Sequence, residues 1–413
     1  MHAAPRVLGE RSGGLARATL VMLGGVLGAQ ALIAVATWWL ARRLDADTLG
    51  TYGFLVATAS TIGGVAAFGP GIALARRLAV GRVEPMSREL ATAAATALTL
   101  AATAALAEAL AGPIFATTAA ALSLMALVAV ASAVQATALQ AMLGRERFGS
   151  VSVARALGGV ITAIGLWVAA LESGLLGALA AWAVGLLVSS LVAVRGAPSP
   201  PATQRVSLHG AAVEADTASS PWSSGWAFVA AALASPMLWG AQALVATANR
   251  AEMARLAVLV PVATAMLLVP GQASQAMIAP MVRGEWQLVR RSGAVIALVT
   301  GAVPALALAA SAPWWTDLVL PGDAALASVA APLLVGVAVQ AAMSPFVRLL
   351  EARASTLWTV ALNAGWAAVL LSLTWADRTA IGYARAVALA FTVHGVALVL
   401  ACRAVARRDA DAD

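Results

Sequence analysis

Side-chain amides are the polar groups that recur inside the apolar runs of this chain. Gln30, Gln135, Gln140, Gln242, Gln272, Gln275, Gln340 and Asn363 each interrupt a stretch otherwise suited to lipid. A carboxamide both donates and accepts, so it can bond sugar hydroxyls or hold one helix to another. Gln135, Gln140 and Gln340 read as helix glue. Gln272 and Gln275 lie three apart, on one helix face, beside Pro270. Proline removes a donor, frees a carbonyl and bends its helix, so these two are the better candidates for a cavity wall. Pro236, Pro261 and Pro280 mark further breaks in the same region.

Other chemistry is thinly represented. The chain has no Gly-x-Ser-x-Gly elbow, no His-Glu-x-x-His and no phosphate loop ending Gly-Lys-Ser/Thr. No catalytic residue is assigned, and no enzyme is expected. The single Cys402 forms no internal disulfide, and no Cys/His spacing suggests a metal or cofactor. His2 and His209 fall in a tail and a linker, whereas His394 sits in the last apolar run and reads as a packed, satisfied histidine. Glu108 is the most intramembrane acid, within a turn of a run's end, and reads as snorkelling to water.

The elements that must carry these groups follow from composition. Of 413 residues, 61% are hydrophobic and 11% charged. A soluble domain carries about 25% charged residues, so the chain is expected to be an integral membrane protein. Its 26 cationic residues are all arginine, against 19 acidic ones, for a net charge of +7. They lie between apolar runs rather than on one face, which argues against nucleic acid as a partner. A bilayer needs about 20 helical residues per crossing, because a helix satisfies its own backbone there. Twelve spans result, near 15–40, 48–69, 88–111, 114–143, 150–171, 174–194, 224–247, 253–279, 292–312, 324–347, 355–376 and 379–402. The first is too long for a signal-peptide core.

The predicted fold is all-α: about twelve transmembrane helices in two six-helix lobes. Residues 1–195 form the first lobe and 224–413 the second. Between them, 196–223 is a Pro/Ser/Thr-rich segment read as a flexible cytoplasmic linker. With both termini inside, 20 of the 26 arginines fall in cytoplasmic segments, Arg155 counted among them. Trp38, Trp39, Trp314, Trp315 and Trp375 fall near outer span ends, where indoles suit the headgroup region. The halves also match at an offset of 208 residues. It carries Arg42 to Arg250, Arg82 to Arg290, Arg145 to Arg353, Arg195 to Arg403, Trp167 to Trp375 and Gly174 to Gly382. Six spans per half set the repeats the same way up, related by an axis along the membrane normal. Glycine pairs such as Gly24/Gly28 have the spacing of close helix packing.

The stretches Leu40-Ala-Arg-Arg-Leu-Asp-Ala-Asp-Thr-Leu-Gly-Thr-Tyr-Gly-Phe and Phe68-Gly-Pro-Gly-Ile-Ala-Leu-Ala-Arg-Arg-Leu-Ala resemble spans one and two of Wzx-like polysaccharide flippases. These are oligosaccharide-lipid translocases of the multidrug/oligosaccharidyl-lipid/polysaccharide exporter superfamily. Leu143-Gly-Arg-Glu-Arg-Phe, Pro280 and Ile381-Gly-Tyr-Ala-Arg-Ala fit the same pattern. The chain departs from it in having twelve spans where many members have fourteen. It also lacks the acid in span one that resembles the cation site of the drug-exporting branch, which leaves the coupling ion open.

The resemblance implies a bacterial inner-membrane protein that moves a polyprenyl-diphosphate-linked oligosaccharide to the outer leaflet by alternating access. Its partners would be that lipid-linked glycan and membrane lipid, with functional links to glycosyltransferases and a glycan polymerase. Spans one, two, seven and eight would wall the cavity, making Gln30, Gln242, Gln272 and Gln275 candidate substrate-binding residues. Arg42 and Arg250 join them, since a guanidinium fork suits a diphosphate. Local pairing is the alternative for both, through Asp45 and Asp47 or through Glu252. The alternative reading is a drug or small-solute transporter, of the multidrug-exporter or major-facilitator type, with a membrane-embedded glycan polymerase or ligase as a third class. A major-facilitator transporter should carry an aspartate where the loop reads Ala75-Arg-Arg-Leu-Ala-Val-Gly-Arg, and a glycan polymerase or ligase should carry a large outer loop.

Overall fold

The computed structural model describes residues 24–79, 86–111, 118–145, 147–172, 174–196, 236–276, 293–352 and 356–410. Nearly all of the 196–223 linker, and Pro280, lie outside them. The first lobe contains α1 (Gly24–Ala41), α2 (Ala46–Ala79), α3 (Ser87–Ala111), α4 (Ala119–Gly144), α5 (Phe148–Glu172) and α6 (Gly174–Arg195). The second contains α7 (236–248), α8 (Arg250–Ala276), α9 (Gly293–Ala310), the short α10 (Ala312–Val319), α11 (Ala324–Ala352), α12 (Thr356–Ala376) and α13 (Ala380–Ala410). Eleven of these helices are long and apolar enough to cross a membrane, and the described part of α7 falls in the remaining one of the twelve spans expected from the sequence. The chain is a multi-pass, all-α membrane protein.

Packing is inverted relative to a water-soluble bundle. On α5 the outward stripe is Val153, Leu157, Ile164, Val168 and Leu171, while its inward contacts are made by Gly158, Gly159 and Gly165. Lipid solvates the large apolar side chains, and small residues let backbones approach. The lobes repeat one pattern. In the first, α2, α3 and α6 pack on α4, and α5 on α6; in the second, α8, α9 and α13 pack on α11, and α12 on α13. The 208-residue offset carries the starts of α3, α4, α5 and α6 to within three residues of the starts of α9, α11, α12 and α13.

Six crossings return each lobe to the end where it began, called proximal here; the opposite end is distal. The distal helix starts are individually capped, as their free N–H groups require. Asp45 accepts from the Thr48 N–H (2.9 Å) and hydroxyl (2.7 Å) at α2, and these two bonds hold its carboxyl below the usual carboxylate range. Thr118 caps α4 through Ala121, Asn249 caps α8 through Ala251, and Asp323 caps α11 through Ala325. Gly174, at φ +55°, takes the left-handed turn into α6.

Several sequence expectations change. Pro261 and Pro270 lie inside α8, while Pro236 is the first described residue of α7 and the stretch before it lies outside the described residues. The Pro270 ring is received by Gly301, in a π turn of α9 at Leu298–Ala302. Gly24 and Gly28 face open space; it is the adjacent Gly25 that meets α5, at Ser152. Glu108 is 8% exposed, covered by protein rather than reaching water. Arg155 lies inside the α5 span, not in a proximal loop. Trp314 and Trp375 are exposed at 82% and 62%, as an interfacial belt requires, but Trp38 and Trp315 are turned inward on each other. His394 is half-buried with Nδ1 3.3 Å from the Leu362 carbonyl, a satisfied packed histidine.

Candidate functional site at the seam between the lobes

The lobes meet along a seam whose centre is the crossing of α2 and α8. Gly50 lies against the Arg250 carbonyl oxygen and Gly53 against the Ala257 methyl, so neither position has room for a side chain. One turn on, Phe54 stacks on Trp239 of α7, centroids 6.0 Å apart and planes 14° apart. The Trp239 indole Nε1–H donates to the Thr58 hydroxyl at 2.7 Å, and that hydroxyl donates to the Phe54 carbonyl at 2.8 Å. Gly50, Gly53, Phe54 and Thr58 thus descend α2 as one stripe, at i, i+3, i+4 and i+8, all facing the other lobe.

Two contacts from α1 complete the seam. Trp38 stacks on Trp315 of α10 at 6.4 Å, and the Trp315 Nε1–H donates to the Leu308 carbonyl at 2.9 Å. Arg42 donates from Nε to the Val319 carbonyl (3.3 Å) and from its terminal nitrogen to the Leu318 carbonyl. These carbonyls close α10, where helix ends leave acceptors unpaired and attract cations. All these lobe-to-lobe contacts lie in the distal half. Deeper along α2, Gly63 and Gly71 turn to Ser132 and Gln140 of its own lobe.

Each lobe is also pinned internally. Trp182 of α6 donates to the Tyr52 hydroxyl on α2 at 2.6 Å, and Gln242 of α7 donates to the Tyr383 hydroxyl on α13 at 3.2 Å. The chain's two tyrosines therefore tie a seam helix to the last helix of each lobe. Arg255 bridges Glu252 (2.5 Å) and Asp323 (2.9 Å), while Glu252 accepts the Ala380 N–H (2.9 Å), joining the distal ends of α8, α11 and α13. The seam contacts join two stiffened bundles at the distal end, through small side chains, rings and the Arg42 hydrogen bonds.

Of the residues singled out in the sequence, Arg42 and Arg250 both reach the distal seam, the first through its side chain and the second through its carbonyl. Their neighbouring acids are engaged elsewhere: Asp45 caps α2, and Glu252 pairs with Arg255. Gln242 is buried and bonded to Tyr383. Gln30 is half-buried on α1. The side chains of Gln272 and Gln275 lie outside the described residues. Sequence reasoning passed over Gly50, Gly53, Phe54, Thr58 and Trp239. The signal was there in part: Gly50-x-x-Gly53-Phe54 puts two hydrogens and a ring on one face of a span. Among the described residues no group of three His, Cys, Asp or Glu side chains gathers to hold a metal.

No family model and no curated protein matches the chain. Solved structures do. A mutant of the MATE transporter VcmN from Vibrio cholerae is similar with a TM-score of 0.71, covering 97% of this chain and 98% of that one at 15% identity. The fold is that of the MATE transporters. A MOP-superfamily transporter from Pyrococcus furiosus, the reverse polarity of whose binding pocket suggests a different function, is similar at TM-score 0.60 and 15% identity over 95% of this chain and 96% of that one. A multidrug resistance MATE family transporter in an inward-facing conformation is similar at 0.57 and 13%, over 94% and 99% of the two chains. At these identities the likeness concerns the fold.

Proposed function

We propose that this chain is an alternating-access transporter that moves a polyprenyl-diphosphate-linked oligosaccharide from the cytoplasmic to the outer leaflet. The observation that carries the transport reading is the seam. Two internally pinned lobes touch distally through glycines, alanines and stacked rings, which can part without stranding a buried ion pair. Rigid-body rocking of such lobes opens one end as it closes the other. The arginine bias puts the proximal end in the cytoplasm, so this conformation is the one closed toward the outside.

The cargo is argued from charge and from the flippase-like segments. The described span α1 has no acidic residue to attract a cation, and the chain as a whole is +7. A phosphorylated lipid head group is the complementary solute, its tail remaining in the bilayer while the sugars cross between the lobes. A drug exporter on the same fold is the competing reading, favoured by the rings of Trp38, Trp315, Phe54 and Trp239 at the seam.

Reconstitution separates the two. Proteoliposomes carrying a fluorescent short-chain polyprenyl-diphosphate oligosaccharide should expose their inner-leaflet label to an impermeant quencher faster than protein-free liposomes. Exchange no faster than in protein-free liposomes, together with uptake of a lipophilic cation such as ethidium, would assign the protein to drug export.

A further inference from the structure

We propose that Arg155 and Gln135 form an oxyanion-binding site inside the amino-terminal lobe, separate from the seam. The placement comes from the contacts of α5. It meets α1 through Ser152, against Gly25, and Gly159, against Ala29. It meets α6 through Gly158, against Ser189, and Gly165, against Ala181. At 3.6 residues per turn, Arg155 falls between these two rows and opposite the lipid-facing stripe. Its charge is directed into the lobe.

The level is fixed by an apolar layer made by Leu139 and Met142 of α4, Val151 and Ala154 of α5, and Ala193 of α6. Arg155 stands one turn distal of Val151. Because α4 runs the opposite way, Gln135 stands one turn distal of Leu139, on the stripe that faces α5 and α6. A guanidinium and a carboxamide thus share one level above an apolar floor. The Arg155 Nε is buried without a hydrogen-bond partner, and so is the Ser189 hydroxyl packed against Gly158. No described carboxylate pairs with Arg155, and Gln135 bonds no other described side chain.

A guanidinium stays charged, and a lone cation at membrane depth is costly unless something neutralises it. Arg155 is half-buried, and its buried donor without a partner is the Nε–H. Its Nε–H and the adjacent terminal N–H point in parallel, a spacing that fits two oxygens on one centre better than a spherical halide. Gln135 adds a neutral donor without repelling a negative charge. The matching ligand is a phosphoryl oxyanion, either free inorganic phosphate or the phosphate of a lipid head group. The site stands whatever the transported cargo is.

The test uses the purified full-length protein in phosphate-free neutral detergent. Its unfolding temperature is followed in one arm against inorganic phosphate and in the other against dioctanoyl phosphatidic acid, with dioctanoylglycerol as the uncharged control. The unfolding temperature should rise saturably in at least one phosphoryl arm and not with the control. Response to inorganic phosphate assigns the free ion; response to the lipid alone assigns the head group. Arg155→Gln should weaken binding roughly ten- to hundredfold, as loss of a charged donor does. Arg155→Lys, which keeps the charge but not the fork, and Gln135→Leu should each give intermediate affinity, and they carry the comparison if Arg155→Gln fails to fold. No saturable rise in either arm overturns the proposal, as does an Arg155 variant that binds like the wild type.

Discussion

Gly53→Leu should open the distal seam. The first atom added at Gly53 falls on the Ala257 methyl, and the rest of the side chain has nowhere to go while α2 and α8 stay in contact. Overpacking of this kind costs about 1–3 kcal/mol. The cost exists only where the helices touch, so it raises the seam-open population by roughly 5- to 150-fold. Ala254, 5% exposed beneath Gly50, reports that population. In a Cys402→Ser background, Ala254→Cys should react with a water-soluble maleimide faster by the same factor when Gly53→Leu is present. Gly53→Ala should fall between. Unchanged labelling in a folded Gly53→Leu protein would show that α2 and α8 do not form the contact that closes the bundle.

Trp239→Ala should have the other large effect. It removes both the Phe54 stack and the hydrogen bond to Thr58. Truncating a packed tryptophan costs about 3–5 kcal/mol; since Trp239 is half-buried, the lower end applies. Trp239→Phe keeps a ring against Phe54 and loses chiefly the hydrogen bond, about 0.5–1.5 kcal/mol. Thermal unfolding in detergent should therefore rank wild type above Trp239→Phe above Trp239→Ala, with the second step the larger. Equal losses in both variants would mean that the stack contributes little and the indole N–H carries the contact.

The span positions were legible in the sequence because lipid imposes a coarse rule: long apolar helices, with charges and Gly/Pro clusters between them. That rule recovers the start of α6 at Gly174 and of α11 at Ala324. It fails where a residue's role depends on which helix lies opposite. Arg155 reads as a loop arginine because it is near a span's start, yet its helix turns it inward. Trp38 and Trp315 read as interfacial indoles, and only the packing of α1 against α10 turns them into a stacked pair. Arg42 has acidic neighbours in sequence, but its partners are carbonyls 276 and 277 residues away. Gly50 and Gly53 are two among 35 glycines, and their spacing beside Phe54 marks a shared helix face without telling that this face meets another lobe. Periodicity tells which face of a helix is buried; it does not tell against what.

The central claim is that the two lobes move as rigid bodies and part at the distal seam. Spin labels at Asp47 on α2 and Thr247 on α7 test it most directly, since both positions are exposed at the distal end and belong to opposite lobes. Their distance distribution, measured in proteoliposomes on the Cys402→Ser background, should contain a short population matching this structure and a longer one that grows when Gly53→Leu is introduced. Control pairs within one lobe should not change. A single interlobe distance, unmoved by Gly53→Leu, would contradict the account.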